Sequence, residues 1–69
     1  MILQRLHREQ SGTVRYRITS NKQFHGIPAG VTEFQQTRQG ELLDSQGTPV
    51  EWGPKTRRAI IERISYIGG

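Results

Sequence analysis

The carboxyl-terminal part of the chain contains its only sustained helical period, and this feature constrains the fold more than any other. Ile60, Ile64 and Ile67 recur at positions i, i+4 and i+7, so they share one face of a helix. Pro54 suits the first turn of such a helix, because an N–H group there has no partner within the helix. The pattern predicts a helix over residues 54–67 that packs its apolar stripe on the rest of the fold.

Upstream of this helix, the sequence is typical of short strands separated by turns. Residues 13–19 alternate apolar and polar side chains, which is the pattern of a strand with one buried face. Residues 2–8 are predicted to pair with them in a first hairpin, with Ile2 and Leu6 on the core face. Residues 20–30 then form a long connection.

This predicted hairpin has a consequence for charge. With the apolar residues of both strands on one face, Arg5 and His7 lie beside Arg15 and Arg17 on the other face. Like charges opposite each other on neighbouring strands are mildly destabilising. The cluster therefore indicates contact with an anion, unless nearby threonines and acids dilute it into an ordinary solvated face.

Three predicted turns each close on a glycine, at Gly12, Gly40 and Gly47. This regularity predicts an α+β fold, in which an antiparallel meander of four or five short strands over about residues 2–52 precedes the helix. Pro49 is expected on an edge strand, because proline cannot donate a hydrogen bond to a sheet. The further predicted strand segments are residues 31–37, 41–44 and 48–52, with a short helix as the alternative for residues 31–37.

The assignment of faces also predicts the core. Phe24 and Ile27 are candidate anchors for the long connection. The predicted core residues are Ile2, Leu6, Val14, Tyr16, Ile18, Phe34, Leu42, Val50, Trp52, Ile60, Ile61, Ile64 and Ile67.

A chain of 69 residues is long enough for one domain, which we predict over residues 1–69. Its apolar fraction of 32% leaves a thin core, and without cysteines no disulfide can reinforce it. A homodimer would bury further apolar surface. Residues 1–5 lack a signal-peptide core and no segment has the length of a membrane span, so we expect a cytoplasmic protein without a membrane partner.

The net charge of +4 is unevenly distributed, because both ends of the chain are basic and the middle is acidic. Clustered positive charge favours a polyanionic partner, although net charge also keeps small proteins in solution. We predict that DNA or RNA binds to the outward face of the first hairpin and to the helix start, through phosphate neutralisation. The predicted nucleic-acid-binding residues are Arg5, Arg15, Arg17, Lys22, Lys55, Arg57 and Arg58.

The sequence contains no pattern of catalytic residues. The two histidines, His7 and His25, do not have the spacing of metal ligands. No serine lies in a G-x-S-x-G pattern, and the glycine-bearing residues 26–30 lack the lysine of a phosphate-binding loop. We therefore predict a protein without enzymatic activity, cofactor or metal.

Two alternative functions remain open. The final residues, Arg63-Ile64-Ser65-Tyr66-Ile67-Gly68-Gly69, resemble the tail of β-grasp sulfur-carrier and ubiquitin-like modifiers, which end on Gly-Gly. That resemblance implies a strand before the tail and a carboxyl-terminal adduct, whereas the isoleucine period predicts a helix there. The other alternative is an accessory factor that docks on a protein partner near Pro49 and Trp52.

Overall fold

The computed structural model of the chain describes residues 1–68. Four antiparallel strands form one sheet in the order β1-β2-β3-β4, and one helix follows them, which confirms the predicted α+β meander. No helix in the described part of the chain has the length and apolar character needed to cross a membrane. The elements are β1 (Ile2–Arg8), β2 (Val14–Ser20), β3 (Gly30–Gln36), β4 (Leu42–Asp44) and α1 (Pro54–Gly68).

The predicted helix is confirmed to within one residue at its end. The Arg57 N–H donates to the Gly53 carbonyl at 3.0 Å, which places Pro54 at the first helical position. Residues 48–52, in contrast, do not form a fifth strand. They contact β4 through a single bridge between Pro49 and Leu43, in which the Val50 N–H donates to the Leu42 carbonyl at 3.2 Å and the Asp44 N–H donates to the Thr48 carbonyl at 2.7 Å.

The three glycine turns share one hydrogen-bonding pattern, as their spacing predicts. In the first, the Glu9 N–H donates to the Thr13 carbonyl at 2.7 Å, and the Gly12 N–H donates to the Glu9 carbonyl at 2.9 Å. The turns that end at Gly40 and Gly47 repeat both bonds. Gly12 has a φ of 94°, which glycine adopts without strain and which a three-residue hairpin loop of this kind requires.

The core lies between one face of the sheet and α1. The ring of Tyr16 stacks on that of Phe34 with centroids 5.2 Å apart, and Ile60 is fully buried above the sheet. Trp52 is half-buried and meets Phe34 edge to face at 5.3 Å. The predicted core residues that are buried are Val14, Tyr16, Ile18, Phe34, Leu42, Val50, Ile60 and Ile64.

The predicted core face of β1 is wrong. Ile2 is 61% exposed and Leu6 is 42% exposed. The register instead places Leu3 opposite Ile18 and Arg5 opposite Tyr16, with an irregularity between Arg5 and His7. Leu6 falls at this bulge, which shifts the alternation of side chains in the rest of the strand.

The apolar stripe predicted for α1 includes two residues that are not buried. Ile61 and Ile67 are 44% and 41% exposed, so their assignment to the core is wrong. The buried positions are Thr56, Ile60 and Ile64, one on each successive turn. Ile61 projects about 100° around the helix from Ile60, and Ile67 lies in the last turn, beyond the packed stripe.

The connection between β2 and β3 is anchored as predicted. Ile27 is fully buried, and its backbone exchanges two hydrogen bonds with Phe24, at 2.8 and 2.9 Å. His25 and Gly26 both have positive φ, as a tight two-residue turn requires. The buried Thr56 hydroxyl donates to the His25 carbonyl at 2.7 Å, which ties this connection to the first turns of α1.

Candidate nucleic-acid interface

The structure does not bring the predicted basic residues together on one surface. Arg15 and Arg17 lie on the face of the sheet opposite α1, which we call the outer sheet face. Arg5 lies on the helix side, so its predicted position beside Arg15 and Arg17 is wrong, although His7 does lie opposite Arg15. The bulge in β1 and the inward side chain of Leu3 account for the difference. The other predicted residues are Lys22, exposed between β2 and β3, and Lys55, Arg57 and Arg58, exposed in the first turns of α1.

The outer sheet face is partly neutralised. Arg17 lies directly opposite Glu33 and donates to its Oε2 from Nη2 at 3.0 Å and from Nε at 3.2 Å. Arg15, opposite Gln35, adds one positive charge nearby. This face therefore offers one exposed arginine without a carboxylate opposite it, which is a weak attraction for a polyanion.

A second group of arginines lines a cleft of about 720 Å³ at one end of the sheet. We call it the arginine cleft. Tyr16 contributes to its surface, Ser65 lines it from the helix, and Glu9 is the one acidic residue among the described residues that line it. Its arginines come from separate elements: Arg5 and Arg8 from β1, and Arg38 from the turn between β3 and β4.

Local structure explains why these arginines converge. Beyond the bulge, Arg8 lies opposite Val14, whose side chain is buried beneath α1, so Arg8 is on the helix side. The stem of Arg38 crosses Gly12, where an added Cβ would lie 3.2 Å from the Arg38 Cβ and 3.3 Å from its Cγ and Cδ. The nearby carboxyl end of α1 carries partial negative charge, which also favours cations there.

Tyr16 has a buried ring and a hydroxyl group near this cleft. Burial raises the pKa of Tyr16, while the positive charges of Arg5 and Arg8 act in the opposite direction. The effect of burial is the larger one, so the pKa of Tyr16 is raised overall. The hydroxyl is therefore protonated at neutral pH and can donate a hydrogen bond.

The cations of the cleft differ in their partners. Among residues 1–68 the one ion pair is Arg17 with Glu33, so neither Arg8 nor Arg38 is paired with a carboxylate there. Arg5 already takes part in an interaction. Arg8 and Arg38 are therefore the arginines of this cleft best placed to bind an anion.

A third basic surface lies at the start of α1. Trp52, Pro54, Arg57, Arg58 and Ile61 line an open depression of about 410 Å³, which we call the helix-start surface. No acidic residue lies in the first turn of α1. The positive end of the helix dipole slightly disfavours basic residues, so their placement here is not explained by helix stability.

The helix-start surface and the arginine cleft share one flank of α1. Arg57, Ile61 and Ser65 follow one another at intervals of four residues along that flank, and they link the two surfaces. Eight residues of helix span about 12 Å. An elongated anion can therefore contact both surfaces at once.

Two of these arginines were not among the residues predicted from the sequence. Arg8 is placed by a bulge, and alternation of residue types does not reveal a bulge. Arg38 reaches the cleft because its stem lies on Gly12, a contact between two turns that are distant in sequence. Neither residue carries a local sequence signal for this location.

The acidic residues do not form an alternative site. The Asp44 Oδ1 accepts hydrogen bonds from the Gln46 and Thr48 N–H groups, each at 2.9 Å, so it stabilises a turn. Within residues 1–68, no group of three or more histidine, aspartate or glutamate side chains is arranged to hold a metal ion.

The carboxyl-terminal segment is helical rather than extended. α1 continues through Gly68, so the strand implied by the resemblance to sulfur-carrier and ubiquitin-like tails does not form. Gly69, which would carry the adduct, lies outside the described residues.

Comparisons with known proteins supply no family for this chain. No protein-family model, no curated protein sequence and no solved structure matches it. Its function is therefore inferred from its own residues and their geometry.

Proposed function

We propose that this protein binds single-stranded nucleic acid along one flank of α1, from the helix-start surface to the arginine cleft. The proposal rests on the distribution of charged residues along this flank. Arginines from β1, from the turn between β3 and β4, and from the first turns of α1 meet on this flank, and Glu9 is the only acid among the described residues that line either surface. The outer sheet face, in contrast, pairs Arg17 with Glu33.

Four arginines supply the phosphate contacts in this proposal. Guanidinium groups bind phosphate oxygens through paired hydrogen bonds, and each neutralised phosphate releases counterions. Arg57 and Arg58 contact one part of the strand, and Arg8 and Arg38 contact another part in the cleft lined by Ser65, which lies about 12 Å along the helix axis from Arg57. Binding is thus electrostatic in origin and falls as the salt concentration rises.

Trp52 supplies the contact that favours single strands. Its indole is half-buried against Phe34 and lines the helix-start surface beside Arg57 and Arg58. An aromatic ring next to cations can stack an unpaired base, which contributes about 1–3 kcal/mol per base. Bases in a duplex are already stacked on each other, so Trp52 discriminates against duplexes.

Fluorescence anisotropy with labelled single-stranded DNA and RNA, and with duplexes of the same sequences, tests this proposal. At low salt, replacing Arg57 and Arg58 together by alanine should weaken single-strand binding about tenfold. The slope of log affinity against log salt should also become shallower by about 1.4, because two phosphate contacts are lost.

The matched control replaces Arg15 and Lys22 by alanine, which removes the same charge outside the proposed interface. At physiological salt, where the Debye length is about 8 Å, this variant should bind within about twofold of the wild type, because its charges lie outside the proposed interface. Undetectable binding of every nucleic acid at low salt would refute the proposed function. A larger loss in the control than in the helix variant would refute the proposed interface.

Intrinsic fluorescence provides an independent test, because Trp52 is the only tryptophan of the chain. Single strands should quench its emission at the same concentrations that raise anisotropy, and duplexes should not. Binding of single strands without any change in Trp52 emission would show that the indole does not stack a base.

A further inference from the structure

The arginine cleft differs from the helix-start surface in shape and in the number of donors that converge on it. We propose that it binds a terminal phosphate monoester, the phosphorylated end of a single-stranded nucleic acid. This inference rests on the proposed function, because it assigns the end of the bound strand to one site.

The shape of the cleft suits a chain end. The β1–β2 turn and the β3–β4 turn lie at the same end of the meander, and residues of both turns line the cleft. Val14 and Tyr16 also line it, and Ile64 and Ser65 form its helix side. A strand that follows the flank of α1 from the helix-start surface arrives at these turns at the end of the sheet.

The charge of the cleft suits a monoester better than a diester. A phosphate monoester carries about −1.5 to −2 at neutral pH and has three acceptor oxygens, whereas an internal phosphodiester carries a single charge. Arg8 and Arg38 approach from different elements, and the protonated Tyr16 hydroxyl is a further donor near them. Glu9 contributes one negative charge and the carboxyl end of α1 about half of one, and the two guanidinium groups together still exceed this sum.

The stem of Arg38 packs against the β1–β2 turn. Its Cβ, Cγ and Cδ lie against Gly12, so the stem of the side chain is held while the guanidinium remains exposed. A side chain that is already ordered loses less entropy on binding than a free surface arginine. This contact between two turns therefore favours a defined phosphate position.

The test compares one short single-stranded oligonucleotide in three forms: with a 5′-phosphate, with a 3′-phosphate and with hydroxyl groups at both ends. One phosphorylated form should bind about tenfold more tightly than the hydroxyl form. Equal affinity of all three forms would overturn this inference and leave the proposed function intact. Failure of all three to bind would overturn both.

Two further ligands are tested in the same assay: inorganic phosphate as a competitor and a phosphoserine peptide as an alternative ligand. Inorganic phosphate should compete with the phosphorylated oligonucleotide and leave the hydroxyl form nearly unaffected. A phosphoserine peptide that binds as tightly as the phosphorylated oligonucleotide would overturn the assignment to a nucleic-acid end.

A pair of glycine variants tests the positioning of Arg38 without removing a charge. Gly12 and Gly40 have φ angles of 94° and 93°, so alanine is strained at both, but only the Cβ at Gly12 meets Arg38. Gly12→Ala should lose most of the preference for the phosphorylated end, and Gly40→Ala should keep it.

If Gly12→Ala does not fold, Arg38→Gln tests the same role of Arg38. This variant leaves the turn glycines intact and should also lose the preference for the phosphorylated end. Its affinity for the hydroxyl form should fall about threefold, because one of the four phosphate contacts is lost, and its affinity for the phosphorylated form should fall about thirtyfold. A full preference for the phosphorylated end in Arg38→Gln would overturn the inference.

Discussion

The two faces of the sheet both carry arginines, but they hold them in different ways. On the outer sheet face, Arg17 faces Glu33 across two strands, and the exposed pair neutralises itself. On the helix side, a bulge and a glycine direct Arg8 and Arg38 toward one cleft, where neither is paired with a carboxylate among residues 1–68. The register of the strands, rather than the number of arginines, therefore decides where this chain can attract an anion.

The largest expected difference between the two faces is in stability. Ile18 is 1% exposed on the covered face and Ile2 is 61% exposed at the edge of the sheet, so the same substitution can be made at both positions. Ile18→Ala should lower the free energy of unfolding by about 2–5 kcal/mol, because it leaves a cavity under α1. Ile2→Ala should change it by less than about 0.5 kcal/mol.

Urea unfolding followed by circular dichroism measures both values. A domain of this size has a total stability of about 3–10 kcal/mol, so Ile18→Ala can unfold the chain entirely. In that case Ile18→Val is used instead of Ile18→Ala, and it should lower the free energy of unfolding by about 1 kcal/mol. Equal costs at Ile18 and Ile2 would contradict the assignment of the covered face.

A smaller effect concerns the pH dependence of the covered face. Because burial raises the pKa of Tyr16 in the folded state, its contribution to stability is fully present below the usual tyrosine pKa of about 10. That contribution is lost as the pH rises through that value toward the folded pKa. Tyr16→Phe should therefore lose less stability than the wild type between neutral and strongly alkaline pH.

The measurement is the free energy of unfolding as a function of pH for both proteins. Using the difference between them cancels the titration of lysines and of other groups that the proteins share. A steeper alkaline decline in Tyr16→Phe than in the wild type would contradict the burial of the Tyr16 hydroxyl.

The smallest expected effect is at the ion pair of the outer sheet face. Arg17 and Glu33 are 41% and 43% exposed, so Glu33→Gln should cost about 0–1 kcal/mol, and less at high salt. The variant also frees one positive charge on this face. If nucleic acid binds along α1, its affinity should change by less than about twofold at physiological salt.

The same variant tests which face of the protein binds nucleic acid. A several-fold gain in affinity for single strands after Glu33→Gln, measured by anisotropy, would place the interface on the outer sheet face. Glu41→Gln removes an equal charge from an exposed turn and serves as the control for a general charge effect.

The main elements of the fold were predictable because local signals specify them. The isoleucine period and Pro54 mark α1, the alternation in residues 13–19 marks β2, and glycine spacing marks the three turns. These signals depend only on neighbours within a few residues of each other.

The face of β1 was not predictable in the same way. Both faces of this strand contain leucine or isoleucine, so residue type alone does not choose between them. The choice depends on the packing of Leu3 against the core and on the bulge between Arg5 and His7. The burial of Thr56 likewise depends on its hydrogen bond to the distant His25 carbonyl.

The candidate site was only partly predictable for the same reason. Arg57 and Arg58 lie at the helix start, which the sequence marks clearly. Arg8 and Arg38 converge through a bulge and through a contact between two turns, both of which are properties of the assembled sheet. Composition indicated a basic protein but could not indicate which face concentrates the charge.

The most direct test of the binding surface is a titration of isotopically labelled protein with a short single-stranded oligonucleotide, followed by amide NMR shifts. We expect the largest shifts at Arg8, Gly12 and Arg38 in the cleft and at Trp52 and Arg57 at the helix start. Shifts concentrated on the outer sheet face instead, or no shifts at low salt, would contradict binding along α1.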